Sequence, residues 1–402
     1  MTGASAGAAA PARLVIGVVG AGTMGSGIAQ VCLQAGHAVR LHDVSPALVA
    51  AGRTRVADGL ERLVARGTLE PTERDAALRR LSEAPDLTAL AGTDLVIEAA
   101  LEDLELKRSI FRALEAAVAP AALLATNTSA LSIDAIGRDA AHPERILGLH
   151  FFNPAPRMAL VEVVAGERTA GPVMQRALHL VAGLGKTPVE CADAPGFIVN
   201  RVNRPFTIEA LRMVEAGEAD VPAVDRALVE AGYPMGPFTL MDLVGLDVNL
   251  AAATAIWHGF EEPERFRPSP LQAALVQAGQ LGRKTGRGFY AYGSDGRAEG
   301  VAPWPPTVAR PDPRREPLAA DAIAARLELA IINEAYRAAG DGVADPPDID
   351  VALRLGAGHP HGPFERARAI GLGQVVRRLA ELERTYGERY RVAPALWQIA
   401  SV

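Results

Sequence analysis

One histidine and one carboxylate in the middle of the sequence have the types and surroundings that acid–base chemistry needs. His150 directly follows an apolar segment, residues 146–149, that predicts a buried strand. Glu162 lies in a second apolar stretch, LVEVV, where an unpaired carboxylate is costly to bury. Histidine is a natural proton acceptor near neutral pH, and pairing it with Glu162 would satisfy both groups and favour the imidazolium. Taken alone, His150 could equally be a hydrogen-bonded core histidine, and Glu162 a surface residue of an edge strand.

A glycine-rich loop near the start of the chain predicts a dinucleotide site. It follows an apolar strand, precedes a helical pattern and consists of Gly20, Ala21, Gly22, Thr23, Met24 and Gly25. Such a loop turns tightly, lets the backbone approach a pyrophosphate and places that group at a helix N-terminus. Asp43, at the end of the next predicted strand, could bond the adenosine ribose and repel a 2′-phosphate, which favours NAD over NADP. The alternatives are an ordinary glycine turn with a surface aspartate, and FAD, for which the sequence offers no second flavin-type segment.

The elements that must position these residues change character near residue 196. Short apolar strands alternate with helical patterns in the first part, at residues 14–19, 38–42, 94–98, 122–125 and 146–149. This alternation predicts an α/β domain over residues 14–195, a Rossmann-type doubly wound and mostly parallel sheet. Long helical patterns follow, at residues 198–214, 221–231 and 240–257, and they predict an all-α region.

The helical region contains an internal repeat. GYPMGPF at residues 232–238 recurs as GHPHGPF at residues 358–364, and Glu209 and Asp225 match Glu334 and Asp350. We therefore predict two tandem helical domains, residues 196–292 and 321–402, joined by a proline-rich linker at residues 293–320. Residues 1–13 are predicted to form a disordered tail.

Composition restricts the class of protein. The chain has 402 residues, of which 49% are hydrophobic and 22% charged, with a formal net charge of -6. This balance argues against a general nucleic-acid binder. No apolar run approaches the length that spans a bilayer, and the first residues lack a signal-peptide pattern, so we predict a cytoplasmic protein without a membrane partner. The two cysteines, Cys32 and Cys191, indicate a reducing compartment, and the sequence has no cluster with metal-ligand spacing.

Seven sequence blocks, in order over about residues 14–292, resemble the L-3-hydroxyacyl-CoA dehydrogenase family. They are GAGTMG at 20–25, NTSALSI at 127–133, LHFFNPAP at 149–156, LVEVV at 160–164, PGFIVNR at 195–201, GYPMGPF at 232–238 and KTGRGFY at 284–290. The resemblance implies a NAD-dependent oxidation of a 3-hydroxyacyl-CoA to the 3-ketoacyl-CoA, in fatty-acid β-oxidation, butanoate or phenylacetate-type pathways. No metal is implied.

The resemblance also implies a role for each matching residue. His150 would be the general base and Glu162 the carboxylate that orients it. Ser129 and Asn200 would be polar partners of the substrate oxygen and of the histidine. The positions expected near the cofactor, besides the glycine loop and Asp43, are Glu102, Lys107, Asn153 and Lys284.

The helical hairpin after Asp43 would contact the CoA end of the substrate. Arg66 stands there where the family has a lysine, and an arginine can still bind phosphate, whereas Gly59 replaces an expected hydroxyl residue. The second helical copy has Ala325 in the place of Asn200, so we interpret this copy as structural. It would replace or modify the dimer interface of single-copy relatives, which leaves a homodimer or a monomer with an intrachain pseudo-dimer.

Two other functions remain open from the sequence. A relative that oxidises a sugar acid such as gulonate would share the GAGTMG and HFFNP-like blocks. A non-catalytic NAD-binding protein could keep the fold, but the intact set of Ser129, His150, Glu162 and Asn200 argues against it.

Overall fold

The structure is a computed structural model and describes residues 13–305 and 316–400. The chain divides into two compact units, residues 1–193 and 194–402. The predicted disordered tail lies outside the described residues except for Arg13, and so do residues 306–315 of the predicted linker.

The first unit is built on an eight-stranded sheet. Its strands are β1 (Val15–Val19), β2 (Ala38–His42), β3 (Leu81–Glu83), β4 (Leu95–Glu98), β5 (Leu123–Thr126), β6 (Ile146–Phe151), β7 (Leu160–Ala165) and β8 (Thr187–Ala192). They lie in the order β3-β2-β1-β4-β5-β6-β7-β8, and every neighbouring pair is parallel except β6 with β7. The predicted α/β class, with a doubly wound and mostly parallel sheet, is confirmed.

Helices connect these strands, and their ends follow local sequence signals. They are α1 (Thr23–Gln34), α2 (Pro46–Ala65), α3 (Pro71–Arg79), α4 (Leu104–Ala117), α5 (Ile133–Ile136) and α6 (Gly171–Gly183). Helix α2 begins where the Ser45 hydroxyl accepts from the Leu48 amide, and Pro46 takes the first helical position, where its missing N–H costs nothing. Both cysteines are buried, and burial raises the pKa of the Cys32 thiol to about 12, which makes it an inert core residue.

The second unit is mainly helical. Its helices are α7 (Val199–Val202), α8 (Arg204–Glu215), α9 (Val221–Glu230), α10 (Pro237–Val244), α11 (Leu246–Gly259), α12 (Pro270–Gln277), α13 (Ala320–Gly340), α14 (Pro346–Ala357), α15 (Pro363–Ile370), α16 (Leu372–Tyr386) and α17 (Pro394–Ala400). The helix predicted at 198–214 is broken at Asn203, just before Pro205, which is tolerated only in the first turn of α8. The helix predicted at 240–257 is broken at Gly245, whose φ of 105° lies outside helical geometry.

Part of the segment predicted as a linker is a strand. Strands β9 (Tyr290–Tyr292) and β10 (Ala298–Val301) pair antiparallel. In the turn between them, the Gly293 amide donates to the Arg297 carbonyl, and the Gly293 carbonyl accepts from the Gly296 amide. Gly296 has a φ of 75°, which favours glycine. The Asp-Gly pair at 295–296 is a hairpin signal, and the proline content of the region that follows obscured it.

The internal repeat is visible as a repeated helix-capping device. The Asp225 carboxylate accepts from the amides of Phe238 and Thr239 at the start of α10, at 2.9 and 3.0 Å. Its counterpart Asp350 accepts from the two amides at the start of α15, at 2.7 and 3.1 Å. A carboxylate at a helix N-terminus satisfies free N–H groups and favours the helix dipole. The two copies therefore use the same residue for the same purpose.

The two copies pack on each other through reciprocal contacts centred on α13, which lies against α8 and α9. Arg201 of the first copy donates to Glu334 of the second at 2.8 Å. The equivalent pair with the copies exchanged is Arg326 with Glu209, at 3.2 Å. Each of these residues is offset by 125 positions from its counterpart, Arg201 or Glu334. All four side chains are buried. In a twofold interface, each contact between two residues is repeated by their equivalents with the copies exchanged. The two arginine–glutamate pairs show this repetition, so the copies are related by a pseudo-twofold axis.

Corresponding residues of the two copies meet near this axis. The rings of Tyr233 and His359, which occupy the same place in the two repeats, pack edge to face with centroids 5.0 Å apart. The imidazole Nε2 of His359 lies 2.8 Å from the Asn203 side-chain oxygen, to which it can donate. Burial lowers the pKa of His359 to about 4, so the ring is neutral in the folded protein at ordinary pH.

We expect this histidine to destabilise the protein in mild acid. The pKa of His359 is below its value of 6.5 in an unfolded chain, so between these values the unfolded state binds a proton that the folded state does not. The contribution of neutral His359 to the free energy of unfolding is fully present above pH 6.5. It is lost as the pH falls towards 4, and the total loss is roughly 3 kcal/mol. Equilibrium denaturation between pH 7 and 4 should show a smaller loss for His359→Phe than for the wild type.

The matched control for this measurement is His361→Phe, because His361 is exposed in the same turn. It should leave the pH dependence unchanged. The buried His37, whose pKa burial also lowers, contributes equally to all three proteins and cancels in the comparison. If His359→Phe and the wild type lost the same free energy of unfolding between pH 7 and 4, His359 would not be a source of the acid destabilisation.

No single helix among the described residues is long and apolar enough to cross a membrane. Helices α10 and α11 meet the length and hydropathy criteria together, with a bend of 102° between them.

Candidate active site

His150 and Glu162 form a buried pair across two neighbouring strands. Strands β6 and β7 are antiparallel, and their register sets His150 directly opposite Glu162. The imidazole Nδ1 lies 2.6 Å from the Glu162 Oε2, and the side chains are 8% and 0% exposed. A buried carboxylate without a partner is costly, so this contact satisfies Glu162 and fixes the plane of the ring. The edge-strand alternative for Glu162 is excluded, because β7 lies between β6 and β8.

Two residues that the sequence analysis missed hold the backbone around His150. The Asn127 side-chain oxygen accepts from the amide of Phe151 at 2.9 Å and so ties the end of β6 to the segment after β5. Lys186 donates to the carbonyls of Ala155 and Met158, both at 2.7 Å, and closes the loop that follows β6. Partial burial lowers the pKa of the Lys186 ammonium. The available signals were the place of Asn127 at the start of the NTSALSI block and the fact that the sequence has only three lysines, at 107, 186 and 284.

Two glycines of the loop, Gly20 and Gly25, have no room for a side chain in the fold, whereas Gly22 has room for one. A Cβ on Gly20, whose φ is 99°, would lie 2.5 Å from the carbonyl oxygen of Ala99, and one on Gly25 would lie 1.7 Å from that of Gly20. At Gly22 the φ is -66°, and a Cβ would meet no protein atom within 4 Å. Space beside Gly22 at the start of α1 is what close approach of a pyrophosphate requires. The residues present therefore fit a dinucleotide.

Asp43, just after β2, accepts a hydrogen bond from this loop. Its Oδ2 accepts from the Ala21 amide at 2.7 Å, and its Oδ1 accepts from the Val44 amide at 2.7 Å. The side chain is partly exposed, so the negative charge lies beside the loop and can reach a ligand held there. The structure thus brings together the glycine loop and the acidic residue that were predicted to act together.

Glu102, Lys107 and Ser129 also lie together, at the carboxyl ends of β4 and β5. The Glu102 Oε1 accepts from the Ser129 amide at 3.0 Å and from the Ser129 hydroxyl at 3.4 Å. The Lys107 ammonium is 3.4 Å from the other oxygen of Glu102. Lys107 itself is only 1% exposed, and it forms a closer ion pair, at 2.7 Å, with Glu98, which the sequence analysis did not identify. Ligands of open α/β sheets bind at this end of the strands.

The remaining predicted residues are distributed over both units. Asn153 is exposed after β6 and precedes a cis peptide bond to Pro154. Arg66 is exposed at the end of α2. In the second unit, Asn200 lies in α7, and the Lys284 ammonium pairs with Asp247 at 2.5 and 2.7 Å.

Gly59, where a hydroxyl residue was expected, packs against the side chain of Gln30. A Cβ on Gly59 would lie 2.0 Å from the side-chain oxygen of Gln30 on α1. A larger residue would require Gln30 to move. Gly59 therefore lies at the contact between α1 and α2, opposite the end of a flexible side chain.

Comparison with known proteins gives the family. The family model described as the 3-hydroxyacyl-CoA dehydrogenase NAD binding domain matches residues 15–194. The model of the C-terminal domain of the same family matches residues 196–292 and 323–401. The chain belongs to the 3-hydroxyacyl-CoA dehydrogenase family. These matches confirm the recognised family, its duplicated helical domain and NAD as the cofactor.

Relatives in this family resemble the chain over most of its length. The 3-hydroxyadipyl-CoA dehydrogenase of Escherichia coli K12 is 38% identical over 464 aligned positions, covering 96% of this chain and 97% of the relative. The 3-hydroxybutyryl-CoA dehydrogenase of Mycobacterium tuberculosis is 46% identical, over 69% of this chain and 98% of its own. The crystal structure of an E. coli 3-hydroxybutyryl-CoA dehydrogenase superposes with a TM-score of 0.87 at 36% identity, covering 97% and 98% of the two chains. The protein is thus an oxidoreductase.

Within residues 13–305 and 316–400, no group of three or more histidine, cysteine, aspartate or glutamate side chains could hold a metal ion.

Proposed function

We propose that this dehydrogenase oxidises the 3-hydroxyl of an (S)-3-hydroxyacyl-CoA to the 3-ketoacyl-CoA, with His150 as the general base and NAD as the oxidant. The observation that supports this most strongly is the buried pair of His150 and Glu162, whose Nδ1 and Oε2 are 2.6 Å apart. A histidine held in one orientation by a buried carboxylate is an effective proton acceptor, because its second nitrogen faces a fixed direction.

The roles of the two ring nitrogens follow from the pair. Since Nδ1 donates to Glu162, Nε2 is the nitrogen that removes the proton from the substrate hydroxyl. Glu162 stabilises the positive charge that develops on the ring, in the way that a buried carboxylate acts in a catalytic triad. NAD, when bound, supplies the acceptor for the hydride that leaves C3. By the family resemblance, Ser129 and Asn200 would be the polar partners of the substrate oxygen and of the histidine.

The substrate is proposed to be a short acyl-CoA, on the basis of the relatives. Those relatives are named for 3-hydroxybutyryl-CoA and 3-hydroxyadipyl-CoA. Arg66, exposed at the end of α2, would bind a phosphate of the CoA moiety. Asp43 would select NAD, because its charge repels the 2′-phosphate of NADP.

A spectrophotometric assay of cofactor oxidation tests this proposal. Acetoacetyl-CoA and 3-oxoadipyl-CoA should each cause oxidation of NADH, whereas NADPH should be a much poorer cofactor. Gulonate with NAD should give no turnover. Turnover of gulonate without turnover of either thioester would identify a sugar-acid dehydrogenase instead, and NADH binding without turnover of any of them would indicate a non-catalytic NAD-binding protein.

The steric freedom at Gly22 gives a prediction for cofactor binding. Gly22→Ala should fold with nearly unchanged stability, because the backbone there suits alanine and the new methyl meets no protein atom. The methyl should obstruct the bound pyrophosphate and raise the NADH dissociation constant about tenfold, the scale of roughly 1–3 kcal/mol for overpacking. Fluorescence titration with NADH and thermal denaturation measure the two effects.

A matched control for Gly22→Ala is Gly171→Ala, at the start of α6, where a Cβ also meets nothing within 4 Å. It should change neither NADH affinity nor stability. An NADH dissociation constant for Gly22→Ala equal to that of the wild type would place the pyrophosphate elsewhere.

We further infer that the two helical copies form an intrachain pseudo-dimer that replaces the interface between helical domains of separate chains. The reciprocal pairs Arg201–Glu334 and Arg326–Glu209 support this inference, because they repeat one interface contact on both sides of a pseudo-twofold axis. A cytoplasmic location stays a prediction.

A further inference from the structure

Glu98 is a buried carboxylate for which the proposed mechanism has no role. It is the last residue of β4, is 0% exposed and receives hydrogen bonds at both oxygens. Oε1 accepts from the Lys107 ammonium at 2.7 Å and from the Ala100 amide at 2.7 Å. Oε2 accepts from the same ammonium at 2.9 Å and from the Thr126 hydroxyl at 2.7 Å. These bonds connect α4 to the carboxyl ends of β4 and β5, which are interior strands of the sheet, next to the glycine loop.

The ammonium that Glu98 holds has a second carboxylate beside it. Lys107 Nζ lies 3.4 Å from Glu102 Oε2. The other oxygen of Glu102, Oε1, accepts from the Thr128 hydroxyl at 2.6 Å and from the Ser129 amide at 3.0 Å. Glu102 is 40% exposed, so its orientation depends on these few contacts. Ion pairs and hydrogen bonds therefore form a continuous chain from the buried Glu98 through Lys107 and Glu102 to Ser129.

Stability alone does not account for this arrangement. Burying an ion pair costs about as much as the attraction returns, and apolar residues of similar size often stabilise a fold better. The Glu98–Lys107 pair does something that an apolar pair cannot do, because it presents a fixed positive charge to the Glu102 carboxylate. Without that charge, Glu102 would be held only from its Ser129 side.

We propose that Glu98 is a positioning residue: it fixes Lys107 so that the ammonium holds Glu102, and Glu102 holds Ser129 in the orientation that the substrate hydroxyl requires. The inference rests on the proposed function, which assigns Ser129 to the substrate, and on the family resemblance, which implies that Glu102 lies near the cofactor. Lys107 then acts on the cofactor site through Glu102, since its own side chain is buried.

The test uses the full-length chain and removes the pair in two ways. Glu98→Gln keeps the size of the side chain and leaves Lys107 buried with Glu102 as its nearest carboxylate, so Glu102 should turn away from Ser129. The double variant Glu98→Gln/Lys107→Met leaves no buried unpaired charge and should fold with a melting temperature close to the wild type. It nevertheless lacks the charge that holds Glu102.

We expect kcat/KM for acetoacetyl-CoA to fall by about 10- to 100-fold in both variants, the scale of a small misplacement at a reacting centre. The fall should be mainly in kcat, and the NADH dissociation constant should rise several-fold. The control is Glu105→Gln, which removes one exposed carboxylate from the same helix and should change none of these quantities.

A double variant with wild-type melting temperature, kcat/KM and NADH affinity would overturn the proposal and leave the pair a structural role only. Failure of Glu98→Gln to fold does not affect this test, because the double variant decides it. If the wild type turns over no 3-ketoacyl-CoA, the proposed function fails, and the NADH titrations of Glu98→Gln and of the double variant still decide whether the Glu98–Lys107 pair positions Glu102.

Discussion

Replacing His150 by alanine is expected to lower kcat/KM for acetoacetyl-CoA by roughly a thousandfold or more, the scale of an essential acid–base residue. The variant removes the group that returns a proton to the substrate oxygen in the reduction direction. The NADH dissociation constant should stay near the wild-type value, because His150 is not part of the glycine loop. Steady-state oxidation of NADH and fluorescence titration with NADH measure the two quantities.

Glu162→Gln should give an intermediate result in the same assay. The amide keeps the size of the side chain but lacks the charge that stabilises the protonated ring, so we expect a smaller loss than in His150→Ala. His179→Ala replaces an exposed histidine of the same unit and should be fully active. If His150→Ala kept more than a tenth of the wild-type kcat/KM, the general base would have to be another group.

Replacing Arg326 by methionine is expected to lower the free energy of unfolding by about 3–5 kcal/mol, because it removes the buried guanidinium that pairs with two carboxylates. The guanidinium bonds Glu218 at 2.6 Å and Glu209 at 3.2 Å, and its side chain is 3% exposed. It also lies over the ring of Tyr386, with 3.9 Å from Cζ to the ring centroid. Equilibrium denaturation followed by circular dichroism measures the loss.

A double-mutant cycle connects this loss to the contact between the helical copies. Adding Glu209→Gln to Arg326→Met should cost less than the sum of the two single losses, by about 1 kcal/mol or more, because the pair that both single variants break is counted only once. Arg377→Met, on the exposed face of α16, is the control and should change stability by less than about 0.5 kcal/mol. Additive losses in the cycle would mean that Arg326 does not stabilise the interface through Glu209.

The parts of the molecule that sequence reasoning predicted are those encoded by local patterns. The glycine loop is recognisable because strand, turn and helix are adjacent in the chain, and the structure brings the loop to Asp43. His150 and Glu162 were recognisable because a charged residue within an apolar strand needs a partner. The register of β6 and β7 supplies that partner, since it places the two residues opposite each other.

The parts that sequence reasoning missed depend on contacts between distant segments or on single backbone angles. Nothing local marks Glu98 as the partner of Lys107, because their pairing depends on how α4 packs on the sheet. Asn127 and Lys186 support the strand of His150 from other elements. The helix break at Gly245 depends on a single φ angle, and apolar periodicity continues across it.

The pairing of Tyr233 with His359 has a consequence for how the helical copies can evolve. In a homodimer, a residue on the symmetry axis faces its own copy, so every substitution there appears twice and must be compatible with itself. Here the two positions belong to one gene but to different codons, and they hold two different rings in edge-to-face contact. One side of this interface can therefore change while the other stays fixed. Because both sides belong to one polypeptide, dilution does not separate them.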